Sequence, residues 1–386
     1  MLRSRGVQSG ITRLLEVALI ASALPALVRM GQWRAPEFVL SPPVRQESTP
    51  FYEEEFLPQT ATAFVHGSTL TEMANGDLLA AWYGGGRDEV QGDVAIFAAR
   101  RDARTGRWSP PRVVEDRRSA ESALGISVKS VGNPVLFSDG RGVWLFYVAI
   151  PFGGWSTGTI CLKTSSDGER WLPARRLLTS PLLDVGMLVR GRPLPYRDGG
   201  VALPVYHSLA RKWSAIVRLD HEGAVIDEAR IEDRRPLIQP WIVPVSPDRA
   251  VAFLRWSSRM PGSVTMANAT DGGMRWGPVF GTSLVHRDAA VAAERLSDGS
   301  FIVIYNNTAW DRRDLSIARS ANGGRSWSKP RPIERDTTPD WNVRREYSYP
   351  FLYRSRDGRI HLLYTWQRTK IRHRVFNDAW VVAEVR

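Results

Sequence analysis

The side chains of this sequence that can do chemistry include one tyrosine near its C-terminus and two adjacent carboxyl groups nearer its N-terminus. Tyr347 carries a phenol, whose ordinary pKa of about 10 means that it becomes a nucleophile only beside a base. Asp88 and Glu89 follow three glycines at 84–86, a composition typical of a flexible loop. Because a carboxyl group can give and take a proton, Tyr347 is a candidate nucleophile, and Asp88 or Glu89 is a candidate acid and base.

Two histidines permit a different reaction on a sugar polymer. His66 opens one apolar run and His207 ends another. Together with Tyr347 they can abstract and donate protons in the β-elimination of a uronate polysaccharide. The same residues also have a structural interpretation, as a packed aromatic ring and as core histidines. A glycosidase, a polysaccharide lyase and a non-catalytic carbohydrate-binding protein therefore all remain open.

A sequence repeat that occurs six times indicates which strands position these residues. In each copy an apolar run leads into a Gly or Asp turn and then into a second apolar run, and the turns lie near residues 76, 140, 199, 248, 299 and 358. Steps of roughly 50 to 65 residues with hairpin turns are typical of the blades of a β-propeller. We predict an all-β, six-bladed β-propeller over residues 60–386.

In the predicted propeller, the first apolar run of each of the six repeats begins at the same end of the central axis. The residues expected to converge there are His66, Asn133, Arg192, Gln239, Asp288 and Tyr347. His207 is expected near them as a further substrate-binding group.

Composition narrows the class of ligand. The 386 residues carry a net charge of +12, and because only five of the 52 basic residues are Lys, 47 are Arg. The codon bias of a GC-rich genome is the simpler explanation of so many arginines, and the functional alternative is a preference for anionic ligands. No basic helix or nucleic-acid module is evident, so nucleic acid is not an expected partner. Cys161, the single cysteine, is predicted to pack in the core, and we expect a monomer with no metal ion or other cofactor.

A second recurrent motif supports a family resemblance. Residues 269–276 and 320–327 are copies of the Asp-box, 164–171 is a degenerate copy and 102–108 a weak one. In this motif a polar side chain caps a turn and a Trp packs between blades. With the stretches 75–94 and 346–350, these copies make the chain resemble the sialidase (neuraminidase) superfamily, and specifically the bacterial sialidase-like proteins with BNR/Asp-box repeats.

The resemblance implies a function and roles for residues. It implies a retaining exo-glycoside hydrolase acting on an acidic sugar of a glycan or polysaccharide, with Tyr347 as the nucleophile and the region of Glu89 supplying the acid and base. Sialidases bind the substrate carboxylate with three arginines. At two of those positions this sequence has no arginine: one is His66 and the other lies near Asn306. The arginines expected to replace them are Arg87, Arg192, Arg255, Arg287 and Arg345. The base that assists the tyrosine aligns with Ala290, close to Asp288.

The first 59 residues differ in composition from the rest. Three arginines precede the apolar run 17–28, which is typical of a signal peptide or N-terminal membrane anchor over residues 1–30. Residues 31–59 read as a Pro-rich linker, within which 38–40 or 51–52 are expected to supply a closing strand that pairs with 379–385. The expected location is outside the cytoplasm, in a bacterial periplasm or anchored to the inner membrane.

Overall fold

The computed structural model describes residues 33–41, 47–180, 184–258, 260–338 and 345–385. The chain divides into two compact units, Met1–Pro36 and Glu37–Arg386. Only Trp33–Pro36 of the first unit are described, so the signal peptide or anchor predicted for residues 1–30 lies outside the described residues. Among the described residues, no helix has the length and apolar character needed to cross a membrane.

The second unit contains six antiparallel sheets, which we call blades one to six. Blade one contains β2 (Phe64–Glu72), β3 (Leu78–Gly85), β4 (Ala95–Arg101) and β5 (Arg112–Asp116). Blade two contains β6 (Ser130–Ser138), β7 (Val143–Ile150), β8 (Thr159–Ser165) and β9 (Arg175–Arg176). Blade three contains β10 (Met187–Val189), β11 (Leu194–Pro195), β12 (Val201–His207), β13 (Trp213–Leu219) and β14 (Val225–Ile231).

The second half of the chain forms the other three blades in the same order. Blade four contains β15 (Leu237–Pro244), β16 (Ala250–Trp256), β17 (Gly262–Thr270), β18 (Arg275–Trp276) and β19 (Phe280–His286). Blade five contains β20 (Ala292–Arg295), β21 (Phe301–Asn306), β22 (Asp314–Ser320) and β23 (Arg331–Arg335). Blade six contains β24 (Tyr347–Arg354), β25 (Ile360–Trp366), β26 (Lys370–Phe376) and β1 (Tyr52–Phe56). The predicted six-bladed β-propeller is confirmed.

Blade six is closed by the N-terminal strand. β1 pairs with β26, with Tyr52 opposite Phe376, so residues from the predicted linker supply the outermost strand of the last blade. The expectation that 379–385 form the closing strand is wrong: α2 (Asp378–Glu384) is a helix, because the Asn377 side chain caps it by accepting a hydrogen bond from the Trp380 backbone.

One further helix joins blades one and two, and the sequence did not predict it. In α1 (Arg117–Leu124), the Asp116 carboxylate accepts a hydrogen bond from the Ser119 backbone, and Gly125 ends the helix with a φ of 65°. Short 3-10 turns occur at Trp155–Thr157 and Asp271–Gly273.

The Asp-box of blade five has the structural role expected from its sequence. Asn322 Oδ1 accepts a hydrogen bond from the Ser326 backbone at 2.9 Å. The Trp327 ring packs 6.2 Å from the ring of Phe253 in blade four. The motif therefore joins adjacent blades. Cys161 is fully buried in β8, in the core between blades one and two.

Candidate active site

Four inner strands carry a β-bulge near the end where the strand begins. In β2, β6, β15 and β24 the pairing register shifts by an extra residue. Each bulge contains one residue with a positive φ, and these are Gly67 (57°), Asn133 (48°), Gln239 (52°) and Tyr349 (57°). A bulge re-aims side chains and breaks the regular alternation of the strand, so these bulges determine which side chains meet at the axis.

Glycine is required at one of these positions. A Cβ atom on Gly67 would lie 2.6 Å from the Cε1 atom of Tyr83, which belongs to the neighbouring strand β3. The Tyr83 ring therefore packs directly on the backbone of the blade-one bulge. It also forms edge contacts with the rings of His66, at 5.8 Å, and Trp155, at 5.9 Å.

Tyr349 lies at the centre of the contacts made by these bulges. Arg255 Nη1 donates a hydrogen bond of 3.2 Å to its hydroxyl oxygen. The His66 ring lies 4.3 Å from the Tyr349 ring, centroid to centroid. The guanidinium groups of Arg190 and Arg312 lie 5.3 Å and 5.6 Å from the ring centroid. One phenol is therefore surrounded by three guanidinium groups and an imidazole.

Arg190 reaches across the axis from blade three. It follows β10, where the inner strand of that blade is interrupted, and it is only 2% exposed. Its Nη1 donates to the Ser68 carbonyl oxygen at 3.1 Å, and its Nη2 donates to the Tyr349 carbonyl oxygen at 2.9 Å. Burial lowers the pKa of Arg190 to about 10, so the side chain is still positively charged at neutral pH.

Arg255 is held by acceptors from two blades. Its Nε donates to Asp288 Oδ1 at 2.6 Å, and its Nη1 donates to Gln239 Oε1 at 2.9 Å. Burial disfavours the charged form, but Tyr349 and Asp288 outweigh burial and raise the pKa of Arg255. Arg312 donates to the Asp288 carbonyl oxygen at 2.8 Å, which places both arginines beside the same residue.

A pair of carboxylates lies on the other side of His66. Arg368 Nη2 is 2.6 Å from Glu89 Oε1, and Arg368 Nη1 is 3.6 Å from Glu346 Oε1. The His66 Nε2 atom lies 3.7 Å from the first of these oxygens and 3.9 Å from the second. Burial opposes ionisation of Glu346, but Arg312 and Arg368 outweigh it and keep its pKa below the usual range. Glu346 therefore lies inside the site, beside His66 and Arg368.

His66 itself is uncharged at neutral pH. It is 1% exposed, and burial holds its pKa well below the usual value. Its Nδ1 atom has no hydrogen-bond partner among the described residues. A neutral imidazole with a free ring nitrogen can accept a proton, so the pair of His66 and Tyr349 has the components of a base and an acid.

Uncharged polar groups line the side of the axis formed by blades two, three and four. Tyr206 Oη accepts hydrogen bonds from Asn133 Nδ2 at 3.3 Å and from Gln239 Nε2 at 3.4 Å. Burial raises the pKa of Tyr206 to about 12, so its hydroxyl keeps its proton. The axial end thus has one charged half and one half of amide and hydroxyl groups.

The structure places Tyr347 outside this cluster. Its side chain is 5% exposed, its ring packs 6.3 Å from that of Trp366, and its hydroxyl accepts a hydrogen bond of 3.3 Å from Gln367 Nε2. The bulge explains the difference, because it turns Tyr349 toward the axis. Asn306 is also buried, and its Nδ2 donates to the Tyr347 carbonyl oxygen at 2.7 Å, which joins blade five to blade six.

The two carboxyl groups of the blade-one loop differ in position. Glu89 lies beside His66 and Arg368, as described above. Asp88 is exposed, and its Oδ1 accepts a hydrogen bond of 2.7 Å from the Glu89 backbone. Asp93 holds the same loop by accepting a hydrogen bond of 2.8 Å from the Gly86 backbone. Glu89 is therefore the member of the pair that the structure brings to the axis.

The other predicted ligands are distributed around the molecule. Arg192 lies at the opposite mouth of the axis, where it pairs with Glu294 at 3.3 Å and lines a cavity of about 460 Å³. His207 Nδ1 contacts the Arg211 carbonyl oxygen at 2.9 Å, and its ring stacks on Trp213. Arg345 pairs with Asp336 at 3.3 Å, Arg87 is exposed and Arg287 is half-buried.

Sequence reasoning missed Arg190, Arg312, Tyr349 and Arg368 as axial residues. For Tyr349 a signal was present: Asn133, Gln239 and Tyr349 each precede a proline, and all three have a positive φ in a bulge. Aligning these three repeats on that proline selects Tyr349 in place of Tyr347. The three arginines lie in connections between strands, where the repeat carries no pattern.

Comparisons with known proteins agree with this architecture. A family model described as a BNR repeat-like domain matches residues 76–362. The chain is similar to the Hadza microbial sialidase Hz136, with a TM-score of 0.67 and 17% identity over 81% of this chain and 66% of that one. It is similar to the intramolecular trans-sialidase from Ruminococcus gnavus, solved with oseltamivir carboxylate, with a TM-score of 0.66 and 15% identity over 84% and 97% of the two chains.

A third similar structure is the Trypanosoma rangeli sialidase, with a TM-score of 0.61 and 11% identity over 87% of this chain and 61% of that one. The chain thus spans just under two thirds of the Hadza and Trypanosoma proteins. No curated protein matches it by sequence. Identities this low support the propeller fold, while the chemistry has to be argued from the site itself.

Proposed function

The chain belongs to the family of BNR repeat-like domains, and we propose that it is a sialidase-type glycoside hydrolase whose nucleophile is Tyr349. The observation that carries this proposal is the position of the Tyr349 phenol, at the axis among Arg190, Arg255 and Arg312. Guanidinium groups at that position compensate the carboxylate of an acidic sugar. A phenol also approaches such a sugar without the charge repulsion that a carboxylate nucleophile would meet.

In the proposed reaction Tyr349 forms a bond to the anomeric carbon while the bond from that carbon to the leaving oxygen breaks. His66, the neutral imidazole beside the phenol, takes the phenolic proton. Glu89 acts as the acid that gives a proton to the leaving oxygen. A water molecule then attacks the anomeric carbon while Glu89 takes one of its protons. The bond from that carbon to Tyr349 breaks, the proton on His66 returns to the phenolic oxygen, and two successive inversions leave the sugar with its original anomeric configuration. Asn133 and Gln239 supply neutral hydrogen bonds to the hydroxyl groups of the sugar.

A second reaction is favoured by one specific observation. Beside the Tyr349 hydroxyl, Arg255 donates to the neutral amide of Gln239 as well as to Asp288, and a histidine lies against the Tyr349 ring. A Tyr–His pair beside arginines also suits β-elimination of a uronate. There one member of the pair takes the proton on C5, the electron pair forms the C4–C5 double bond, and the bond from C4 to the glycosidic oxygen breaks as the other member gives that oxygen a proton.

One assay separates these reactions from carbohydrate binding without turnover. The wild-type protein is incubated with 4-methylumbelliferyl glycosides of acidic and neutral sugars and, separately, with uronate polysaccharides. Fluorescence from an acidic glycoside supports the hydrolase. Ultraviolet absorbance from an unsaturated uronate supports the lyase and contradicts the hydrolase. Binding of a glycan with neither signal contradicts both enzymes.

Arg255→Met provides a test of the site with a matched control. We expect this variant to lose activity on the acidic substrate, because the guanidinium at the Tyr349 hydroxyl is removed. Arg287→Met removes a half-buried arginine that is not among the partners of Tyr349 described above, and this variant should retain activity. Equal effects of the two substitutions would contradict the proposed carboxylate site.

The cellular setting of this reaction is also a proposal. The basic and apolar N-terminal sequence suits export, with the propeller held outside the cytoplasm. An acidic glycan of the cell envelope or of the surroundings would then be the substrate. Fractionation of source cells with an antibody to the propeller tests this location, and a cytosolic signal alone would contradict it.

A further inference from the structure

Four loops around the mouth of the candidate active site each expose one large apolar side chain. These loops join the second strand of a blade to the third, and their described residues are 151–158, 208–212, 257–258, 260–261 and 307–313. Their exposed apolar residues, which we call the apolar rim, are Phe152 (63% exposed), Leu209 (44%), Met260 (69%) and Trp310 (68%). The four residues lie on successive blades, two to five, so they are distributed around the opening.

The opposite end of the propeller differs. Among the described residues, the loops that join strands there expose one large apolar side chain, Leu172 (63%); the other exposed apolar residues at that end are Val382 (45%) on α2 and Val39 and Leu40 of the N-terminal segment. Their tight turns are built instead from Asp and Gly, as at 139–140 and 298–299. Single exposed apolar residues are ordinary on a soluble protein, whereas several at the tips of loops around one opening mark an interaction surface.

We propose that the apolar rim docks into the surface of a lipid bilayer that carries anionic headgroups. Trp, Phe, Leu and Met at loop tips are side chains that partition into the boundary between headgroups and acyl chains. The net charge of +12 favours an anionic surface. The apolar run at 17–28, outside the described residues, is independently predicted to associate with a membrane. Four separate tips can enter a bilayer surface without the continuous complementary area that a protein partner needs.

This docking turns the mouth of the site toward the membrane. A sugar linked to a lipid is then presented directly to Tyr349 and its arginines, so glycolipids or lipid-linked saccharides are the substrate class that this surface selects. That consequence rests on the proposed function. The docking itself does not, and it is tested without any turnover.

The single cysteine permits a direct test. Cys161 is buried, so an environment-sensitive thiol fluorophore attaches selectively to a cysteine introduced at the surface. Labelled Met260→Cys is compared with labelled Leu172→Cys, a position of similar exposure at the opposite end, in the full chain with vesicles of phosphatidylethanolamine and phosphatidylglycerol. We expect a blue shift and an intensity gain for the Met260 label and neither for the Leu172 label.

Other outcomes overturn the proposal. No shift at either position, or equal shifts at both, would mean that the rim does not face the bilayer, even if the N-terminal segment holds the chain on the vesicles. A shift of the Met260 label that grows with protein concentration in the absence of vesicles would assign the rim to a second copy of the chain.

A second variant tests whether the apolar side chains cause the docking. The label is placed at Leu209→Cys, and Phe152, Met260 and Trp310 are all changed to Ser. We expect the vesicle-induced blue shift to disappear. A matched background, with Val113, Leu172 and Ile226 changed to Ser, should keep it, and a shift of equal size in both backgrounds would contradict the proposal.

Discussion

Arg190 and Tyr349, on opposite sides of the propeller axis, are joined by a hydrogen bond of 2.9 Å from the guanidinium Nη2 to the Tyr349 carbonyl oxygen. The second Arg190 nitrogen donates to the Ser68 carbonyl oxygen. Both carbonyl groups lie in bulges, where strand pairing is interrupted. Arg190 thus satisfies buried acceptors of blades one and six and fixes the backbone that carries Tyr349.

We predict that Arg190→Lys weakens both stability and activity. A lysine ammonium has no planar fork, so it cannot hold two carbonyl oxygens in this geometry. We expect the free energy of unfolding to fall by about 1–3 kcal/mol, measured by urea denaturation. Arg192→Lys, two residues along the chain but at the opposite mouth, is the matched control for activity. If both variants turn over substrate equally, Arg190 does not position Tyr349.

Stability should fall as the solution becomes acidic, and His286 is one cause. Burial outweighs the carbonyl oxygens of Ala289 and Asn306 and lowers the pKa of His286 to about 4. Because the unfolded chain takes up this proton at higher pH than the folded protein, the free energy of unfolding decreases between pH 6.5 and about 4. This shift corresponds to about 3 kcal/mol. Burial lowers the pKa of three other histidines in the same direction: His66, His361 and His373.

Urea denaturation at a series of pH values checks this prediction. His286→Gln should show a shallower loss of stability than the wild type over that pH range, because the substituted amide does not titrate. An identical slope in the two proteins would show that His286 is not responsible.

Gly67→Ala should lower the free energy of unfolding by more than its positive φ alone would cause. The added Cβ would meet the Tyr83 ring at 2.6 Å, and φ is 57°. Gly140 has a φ of 81° with nothing within 4 Å of an added Cβ, so Gly140→Ala measures the cost of a positive φ alone. We expect about 1 kcal/mol for Gly140→Ala and about 1–3 kcal/mol more for Gly67→Ala. Equal losses in urea denaturation would mean that Tyr83 moves away freely.

The sequence predicted the propeller because turn residues and apolar runs recur in every blade. It did not predict which tyrosine faces the axis, because a single bulge residue changes the direction of the side chains that follow. The bulge at Tyr349 has a counterpart at Asn133, and both residues have a positive φ and precede a proline. Arg190 and Arg368 were missed for another reason: they reach the site from a broken strand and from a hairpin turn, and only the packing of the blades brings them there.

The C-terminal segment shows a related limit. Residues 379–385 are mostly apolar and include three valines, a composition that predicts a strand. The Asn377 side chain accepts hydrogen bonds from the Phe51 and Trp380 backbones and so starts a helix in place of a strand. The closing strand Tyr52–Phe56 contains three consecutive glutamates, which a search for apolar runs passes over.

The most direct test of the account compares Tyr349→Phe with Tyr347→Phe on whichever substrate the wild type turns over. Each substitution removes one hydroxyl, and thermal denaturation checks that both variants fold. We predict that Tyr349→Phe lowers kcat on the order of a hundredfold or more, because the reacting oxygen is lost, while Tyr347→Phe stays within about threefold of the wild type. Full activity of Tyr349→Phe, or a loss confined to Tyr347→Phe, would contradict the assignment of the site.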